Sequence, residues 1–269
     1  MVRTAFIGGG NMAEALIVGL TREAGAGDAI TVAEPLAARR EHLRQTYGVV
    51  VEPPGPAAVE DATMVVLAVK PGVLDPVLTE LSPSLAPSTL LVSVVAGVSI
   101  DRISRAAPDG APIVRAMPNT PAMVQRGATA VAAGPHATED DVVRAEALFR
   151  TVGRCVRVPE SRMDAVTGLS GSGPAFAMLF LEAMADGAVR CGLPRPVAME
   201  LAAQTLLGAA ALHLETGDHP GVLKDRVTSP GGTTIAGVAA LEAGGFRAAV
   251  IDAVSAAAAR SRALGRGED

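Results

Sequence analysis

A short apolar strand that runs into Gly8, Gly10 and Ala13 and then opens a helix, as in "VRTAFIGGGNMAEALIVGL" from Val2 to Leu20, leaves a chain few folds to choose from. The spacing is the G-x-G-x-x-A form of the dinucleotide-binding fingerprint, in the strand, turn and helix context that the motif requires. The first glycine permits a tight turn, the second lets a pyrophosphate approach the backbone, and Ala13 lets helix and strand pack closely. The helix start around Asn11 and Met12 adds free N–H groups and a partial positive charge that suit phosphate. Gly8, Gly10, Asn11, Met12 and Ala13 are therefore candidate cofactor-binding residues.

The first half of the chain keeps to that plan. From Val2 to about Val158, β-rich runs such as "AITVA", "GVVV", "MVVLAV", "TLLVSVV", "APIVRA", "GATAVAA" and "CVRV" alternate with helical stretches. This predicts an α/β domain with a mostly parallel sheet of the Rossmann type over residues 1–159. Glu34 ends the second strand, where an acid that binds the adenosine ribose hydroxyls stands in such folds and favours NAD over NADP. Arg39 and Arg40 lie about a turn beyond and offer partners to a 2′-phosphate, so the choice between NADP(H) and NAD(H) stays open. Three later strands break into loops bearing Gly or Pro at the carboxyl edge of the sheet, where ligands of this fold lie. Ala68, Val69, Lys70 and Pro71 in "LAVKPGVL", with Ala96 and Gly97 in "VSVVAGVS", are placed along the nicotinamide half of the cofactor. In "RAMPNTPA", Asn119 is the cofactor candidate and Pro118 and Pro121 stiffen the loop.

After Pro159 the pattern changes to long Ala- and Leu-rich stretches with helical spacing and no convincing strand, so residues 160–269 read as a separate all-helical domain. Stretches such as "AMELAAQTLLGAAAL" are apolar on more than one face, more than a small bundle needs to bury, which points to a subunit interface. A net charge of −5, no basic run and 2% aromatic residues argue against nucleic acid. Cys155 and Cys191 lie far apart, and His42, His136, His213 and His219 show none of the familiar metal-ligand spacings, so no metal is expected. Residues 81–100 carry no charge, but Pro83 and Pro87 break the segment, and the apolar run before Gly8 is too short for a secretory signal. No membrane partner and a cytoplasmic location are the expectation.

Near the end stands "TSPGGTTIAG", Thr228 to Gly237, four hydroxyls, a proline and paired glycines before a helical pattern. A helix N-terminus reached through glycines suits a carboxylate or phosphate, although a loop with an ordinary cap has the same composition.

Taken together, "FIGGGNMAEA", "VKPGVL", "RAMPNTPA", "GLSGSGPAFAMLFLEAMADGAVRCGLP" and "HPGVLKDRVTSPGGTTIAGVAALEAGGFRAAV" resemble the pyrroline-5-carboxylate reductase family over nearly the full length. The resemblance implies a Rossmann domain followed by a helical dimerisation domain. It also implies reduction of (S)-1-pyrroline-5-carboxylate to L-proline by hydride, usually from NADPH, at the end of proline biosynthesis. By this resemblance Ser229, Gly231, Gly232, Thr233 and Thr234 belong to the substrate loop. The N–H groups of Gly231, Gly232 and Thr233 are expected to be free for the substrate carboxylate, and the Thr234 hydroxyl to bond the ring nitrogen as the catalytic group. Ser172 and Gly173 are expected to wall the site between cofactor and substrate loop. Self-association through the helical domain is implied, as a dimer and, in some family members, a decamer.

Two rivals stay in view. A β-hydroxyacid dehydrogenase-like keto or imine reductase shares the two-part plan but uses a lysine on the first long helix of its second domain, and residues 169–193 contain neither lysine nor asparagine. A non-catalytic protein that senses a dinucleotide would keep the fingerprint without turnover.

Overall fold

The computed structural model describes residues 3–24 and 29–266, so Val2, at the start of the first expected strand, lies outside them. The chain divides into two compact units, Met1–Ser172 with Ala256–Asp269, and Gly173–Ser255.

The first unit is built on one eight-stranded sheet in the order β3-β2-β1-β4-β5-β6-β7-β8. The strands are β1 (Thr4–Ile7), β2 (Ile30–Ala33), β3 (Val50–Glu52), β4 (Met64–Leu67), β5 (Leu90–Ser93), β6 (Ile113–Met117), β7 (Gly127–Ala133) and β8 (Gly153–Arg157). All neighbours run parallel except β6 and β7. The central strands are mostly apolar, with Thr4 and Ser93 only at strand ends, because helices cover both faces, and every residue of β1, β4 and β5 is buried. Side chains alternate between two cores. Phe6, Val32, Val66 and Val92 meet Leu16 and Ile17 of α1 (Asn11–Ala24), Leu43 of α2 (Ala37–Tyr47) and Phe149 of α5 (Glu139–Arg150) on one face. Ala5, Ile7, Val65 and Leu67 meet Leu74 and Leu78 of α3 (Leu74–Leu81) and Ile103 of α4 (Ile100–Ser104) on the other. Sheet order reverses between β1 and β4, the switch point at whose carboxyl strand ends ligands of this fold bind. The unit closes with α6 (Met163–Val166), a π-helical turn over Thr167–Gly171, and the end of the last helix, whose Ser261 donates to Asp164 at 2.7 Å.

The second unit is all helix: α7 (Gly173–Arg190), α8 (Arg195–Thr216), α9 (Pro220–Arg226), α10 (Thr233–Ala243) and the first half of α11 (Phe246–Gly265). Pro194 and Pro220 stand at helix starts, and Gly217 ends α8 in the left-handed conformation at φ +70°. Among its described residues only Ala185, Ala198 and Ala202, where α7 meets α8, are buried apolar side chains. Met178, Leu179, Leu201, Leu207 and Ile251 each leave more than half of their surface open.

Candidate active site

Gly8 stands at the sheet's reversal. Its φ is +98°, and a Cβ there would lie 2.7 Å from the carbonyl oxygen of Ala68, so neither conformation nor space admits another residue. The turn is tied to both neighbouring strand ends: Gly8 N–H donates to Ala33 O at 2.8 Å, and Ala68 N–H donates to Ile7 O at 2.9 Å. Gly10 is exposed, and no atom lies within 4 Å of where its Cβ would be. Open space there meets the first turn of α1, whose N–H groups at Asn11, Met12 and Ala13 have no intrahelical acceptor. Ala13 is fully buried under the turn, as close helix–strand packing demands. The residues present therefore fit a pyrophosphate.

Glu34 follows β2 as the sequence places it, but its carboxylate faces inward and is 7% exposed. Oε2 accepts from Gly9 N–H and Oε1 from Leu36 N–H, both at 2.9 Å. Arg39 donates from Nε to Gly9 O at 2.7 Å and pairs through Nη2 with Glu14. Arg40 donates from Nη1 to the carbonyls of Glu34 and Pro35 at 2.7 and 2.9 Å. Glu14 also takes Tyr47 OH at 2.7 Å and lies 2.9 Å from His42 Nε2. Burial by itself would raise the Glu14 carboxyl, but the hydrogen bonds with His42, Tyr47 and Arg39, helped by the Arg39 charge, pull it down to about 2.

The other edge loops present backbone more than side chains. Val69 is half-buried, and Lys70 and Pro71 are exposed where a 3₁₀ turn over Pro71–Val73 begins. Ala96 is exposed after β5, and Gly97 turns the chain at φ +72°. The Asn119 amide is spent within the protein: Oδ1 accepts from Ala128 N–H at 2.9 Å and Nδ2 donates to Ser170 O at 3.0 Å. Ser170 belongs to the π-helical turn, in which Ser172 N–H reaches back five residues to Thr167 O at 2.8 Å. Ser172 closes the first unit and Gly173 opens the second, both half-buried.

In the second unit, Gly231 takes φ +66° and Gly232 is the N-cap of α10. A Cβ on Gly232 would lie 2.3 Å from Ser229 Oγ and 3.1 Å from Ser229 O, so a side chain there would have to turn the Ser229 hydroxyl away. Gly232 N–H donates to Ser229 O at 3.1 Å, so the expectation that it is free does not hold: the same tight turn consumes it. Thr233 and Thr234 occupy the first turn of α10, where N–H groups lack intrahelical acceptors, and Thr234 is half-buried.

Three features escaped the sequence reading. Gly9, the middle glycine, is the one whose amide Glu34 holds, and the triple glycine was its only signal. The π turn reads in sequence as an ordinary helix start. Arg115, 9% exposed in β6, pairs with Glu160 at 3.2 Å, and Glu160 also takes Ile100 N–H at 2.7 Å. Elsewhere, clefts of about 300 and 620 Å³ open at the amino edge of the sheet around Arg3, Glu60 and Asp61, away from the glycine turn. Burial and the Glu146 charge push the Cys155 thiol up to about 11, which makes it inert. Among the described residues no group of three or more His, Cys, Asp or Glu is placed to hold a metal ion.

A family model described as pyrroline-5-carboxylate reductase dimerisation matches residues 160–264, and one described as NADP oxidoreductase, coenzyme F420-dependent, matches residues 3–97. The chain is 52% identical over 266 residues to a pyrroline-5-carboxylate reductase of Synechocystis sp., covering 98% of this chain and 99% of that protein. It is 41% identical over 265 residues to one of Escherichia coli, with 98% of each chain covered. Among solved structures, a pyrroline-5-carboxylate reductase of Coxiella burnetii superposes with a TM-score of 0.93 at 36% identity, covering 98% of both chains. The Plasmodium falciparum pyrroline carboxylate reductase with NADP bound gives 0.86 at 29% identity, again over 98% of both.

Proposed function

This chain belongs to the pyrroline-5-carboxylate reductase family, and from that premise we propose how its residues carry out the family's reaction. It is an oxidoreductase that reduces (S)-1-pyrroline-5-carboxylate to L-proline by hydride transfer from NAD(P)H, the last step of proline biosynthesis. It self-associates through its helical dimerisation domain. A bound nicotinamide cofactor supplies the hydride that reaches the imine carbon.

The carrying observation is a chain with both a glycine turn at the sheet's reversal and a Gly-Gly turn that opens a helix. In our reading, Gly8, Gly10, Asn11, Met12 and Ala13 cradle the pyrophosphate. Ala68 to Pro71, Ala96 and Gly97 line the path toward the nicotinamide, and Asn119 shapes its edge through the bonds to Ala128 and Ser170. The substrate carboxylate sits on the N–H groups of Gly231 and Thr233, at the positive end of α10 beside Ser229. Gly232 shapes that turn without donating to substrate. The Thr234 hydroxyl bonds the ring nitrogen, and Ser172 with Gly173 forms the wall. Because hydride addition needs the reacting carbon held close and the charge at nitrogen stabilised, positioning does most of the work, and no carboxylate dyad or strong acid is called for.

The division of labour assigns residues 1–159 to the cofactor and 160–269 to dimerisation and substrate, with a dimer as the working unit in the cytoplasm. Neither nucleic acid nor membrane is a partner in this reading. α8 is long and apolar enough to cross a bilayer by length and composition, and we assign its exposed face to a second subunit because the matching family model is a dimerisation domain. The test is oxidation of NADPH and of NADH, measured separately, by purified protein with and without pyrroline-5-carboxylate. Substrate-dependent turnover is the expected result. Cofactor binding without turnover would move the chain to the sensor reading.

A further inference from the structure

We propose that Glu34 is a positioning residue for the pyrophosphate turn and does not read the adenosine ribose. The inference rests on the assignment of Gly8 to Ala13 to the cofactor. Glu34 occupies the place of a ribose-binding acid, yet each of its oxygens is engaged by a backbone donor from a different loop, Gly9 N–H on one side and Leu36 N–H on the other. A carboxylate oxygen has a second lone pair, but both oxygens are turned onto backbone donors and the residue is only 7% exposed, which leaves little of it to a ribose hydroxyl. The residue is held at its backbone as well: its N–H donates to Glu52 O at 3.0 Å and its carbonyl accepts from Arg40.

What this fixes is the Gly9 peptide. Its N–H is taken by Glu34 and its carbonyl by Arg39, which is in turn held by Glu14 on α1. Both polar groups between the two fingerprint glycines are thereby set before any ligand arrives, which lowers the cost of ordering the turn on binding. Gly9 also explains itself: a Cβ there would lie 2.8 Å from Leu43 Cδ1 and 3.2 Å from Glu34 Oε2, so a side chain would displace the carboxylate. The acid at the strand end thus acts on both cofactors alike, through their shared pyrophosphate.

The full-length protein and its Glu34→Gln variant decide the matter by calorimetric titration with NADP⁺ and NAD⁺ and by steady-state kinetics. The amide places an N–H₂ against one of the two backbone donors, so Kd for both cofactors should rise by the same factor, about tenfold. KM for the cofactor should follow, kcat at saturating cofactor should hold, and the NADP⁺ to NAD⁺ affinity ratio should stay where it is. A ratio shifted more than about fivefold, or affinities for both left unchanged, overturns the brace while leaving the site assignment standing. A wild type that binds neither dinucleotide overturns the site assignment and the brace together. A second measurement needs no variant: in cofactor-free wild type the Gly9 amide should exchange with solvent as slowly as the amides of β1. Exchange at the rate of an open loop overturns the proposal.

Discussion

Thr234 is the residue on which the proposed chemistry concentrates, since it carries the hydroxyl offered to the imine nitrogen from the first turn of α10. Replacing Thr234 with Ala should lower kcat/KM for the substrate by about 10- to 100-fold, in the range for losing one donor to developing charge, with cofactor Kd unchanged. Wild-type kcat/KM in that variant would remove Thr234 from the mechanism. A second residue-scale expectation concerns acid. Glu14 titrates near 2 in the folded chain against an ordinary 4.5, so it binds fewer protons folded than unfolded over that interval. Its contribution to stability is complete above pH 4.5 and drains away as pH falls toward 2. Thermal unfolding of wild type and Glu14→Gln should therefore differ most at neutral pH and converge toward the acid end. Curves that stay parallel would show that Glu14 carries no such linkage. The fingerprint glycines were legible because the crowding beside Gly8 and the open space above Gly10 both follow from the spacing of the motif. The role of Glu34 was not, because a sequence gives the strand end but not the direction in which a carboxylate turns.

At the scale of elements, α1 illustrates how tightly the fingerprint helix is seated. A Cβ on Gly19 would lie 2.1 Å from Thr151 Oγ1 and 2.8 Å from Val152 Cγ1, and Thr151 Oγ1 is itself tied to Leu148 O at 2.8 Å. Gly19→Ala would gain up to about 1 kcal/mol of helix propensity. Overpacking costs about 1–3 kcal/mol, so the variant should melt earlier than wild type, and Thr151→Ala in the same chain should restore part of the loss. A higher Tm in the single variant would mean that the turn after α5 yields freely. The central strands were legible for a related reason. β1, β4 and β5, covered on both faces, are written as mostly apolar runs, and Pro194, Pro220 and Gly217 punctuate the helices of the second half. The π turn at Thr167–Gly171 was not legible. Glycines and hydroxyls there look like a helix start, whereas Thr167 and Ser170 bond back to the carbonyls of Met163 and Val166 and the ladder slips by one residue.

For the whole molecule the decisive quantity is how little the Gly173–Ser255 unit buries. A unit of roughly 80 residues stands alone only with a substantial core, and here three alanines are the buried apolar residues described. Leu201 and Leu207 on α8 are 54% and 55% exposed, and Met178 and Leu179 on α7 are 64% and 69% exposed. Apolar surface on this scale marks an interface, and a second copy of the dimerisation domain is what the family supplies to cover it. Folding and association should then be one transition, so Tm should climb steadily as protein concentration is raised about a hundredfold. Leu201→Arg with Leu207→Arg should shift the sedimenting mass to that of a single chain and take the thermal stability of the helical unit with it. A Tm indifferent to concentration, or a double variant that sediments and melts as wild type does, would place the covering contact on other helices and leave α8 as an outer face.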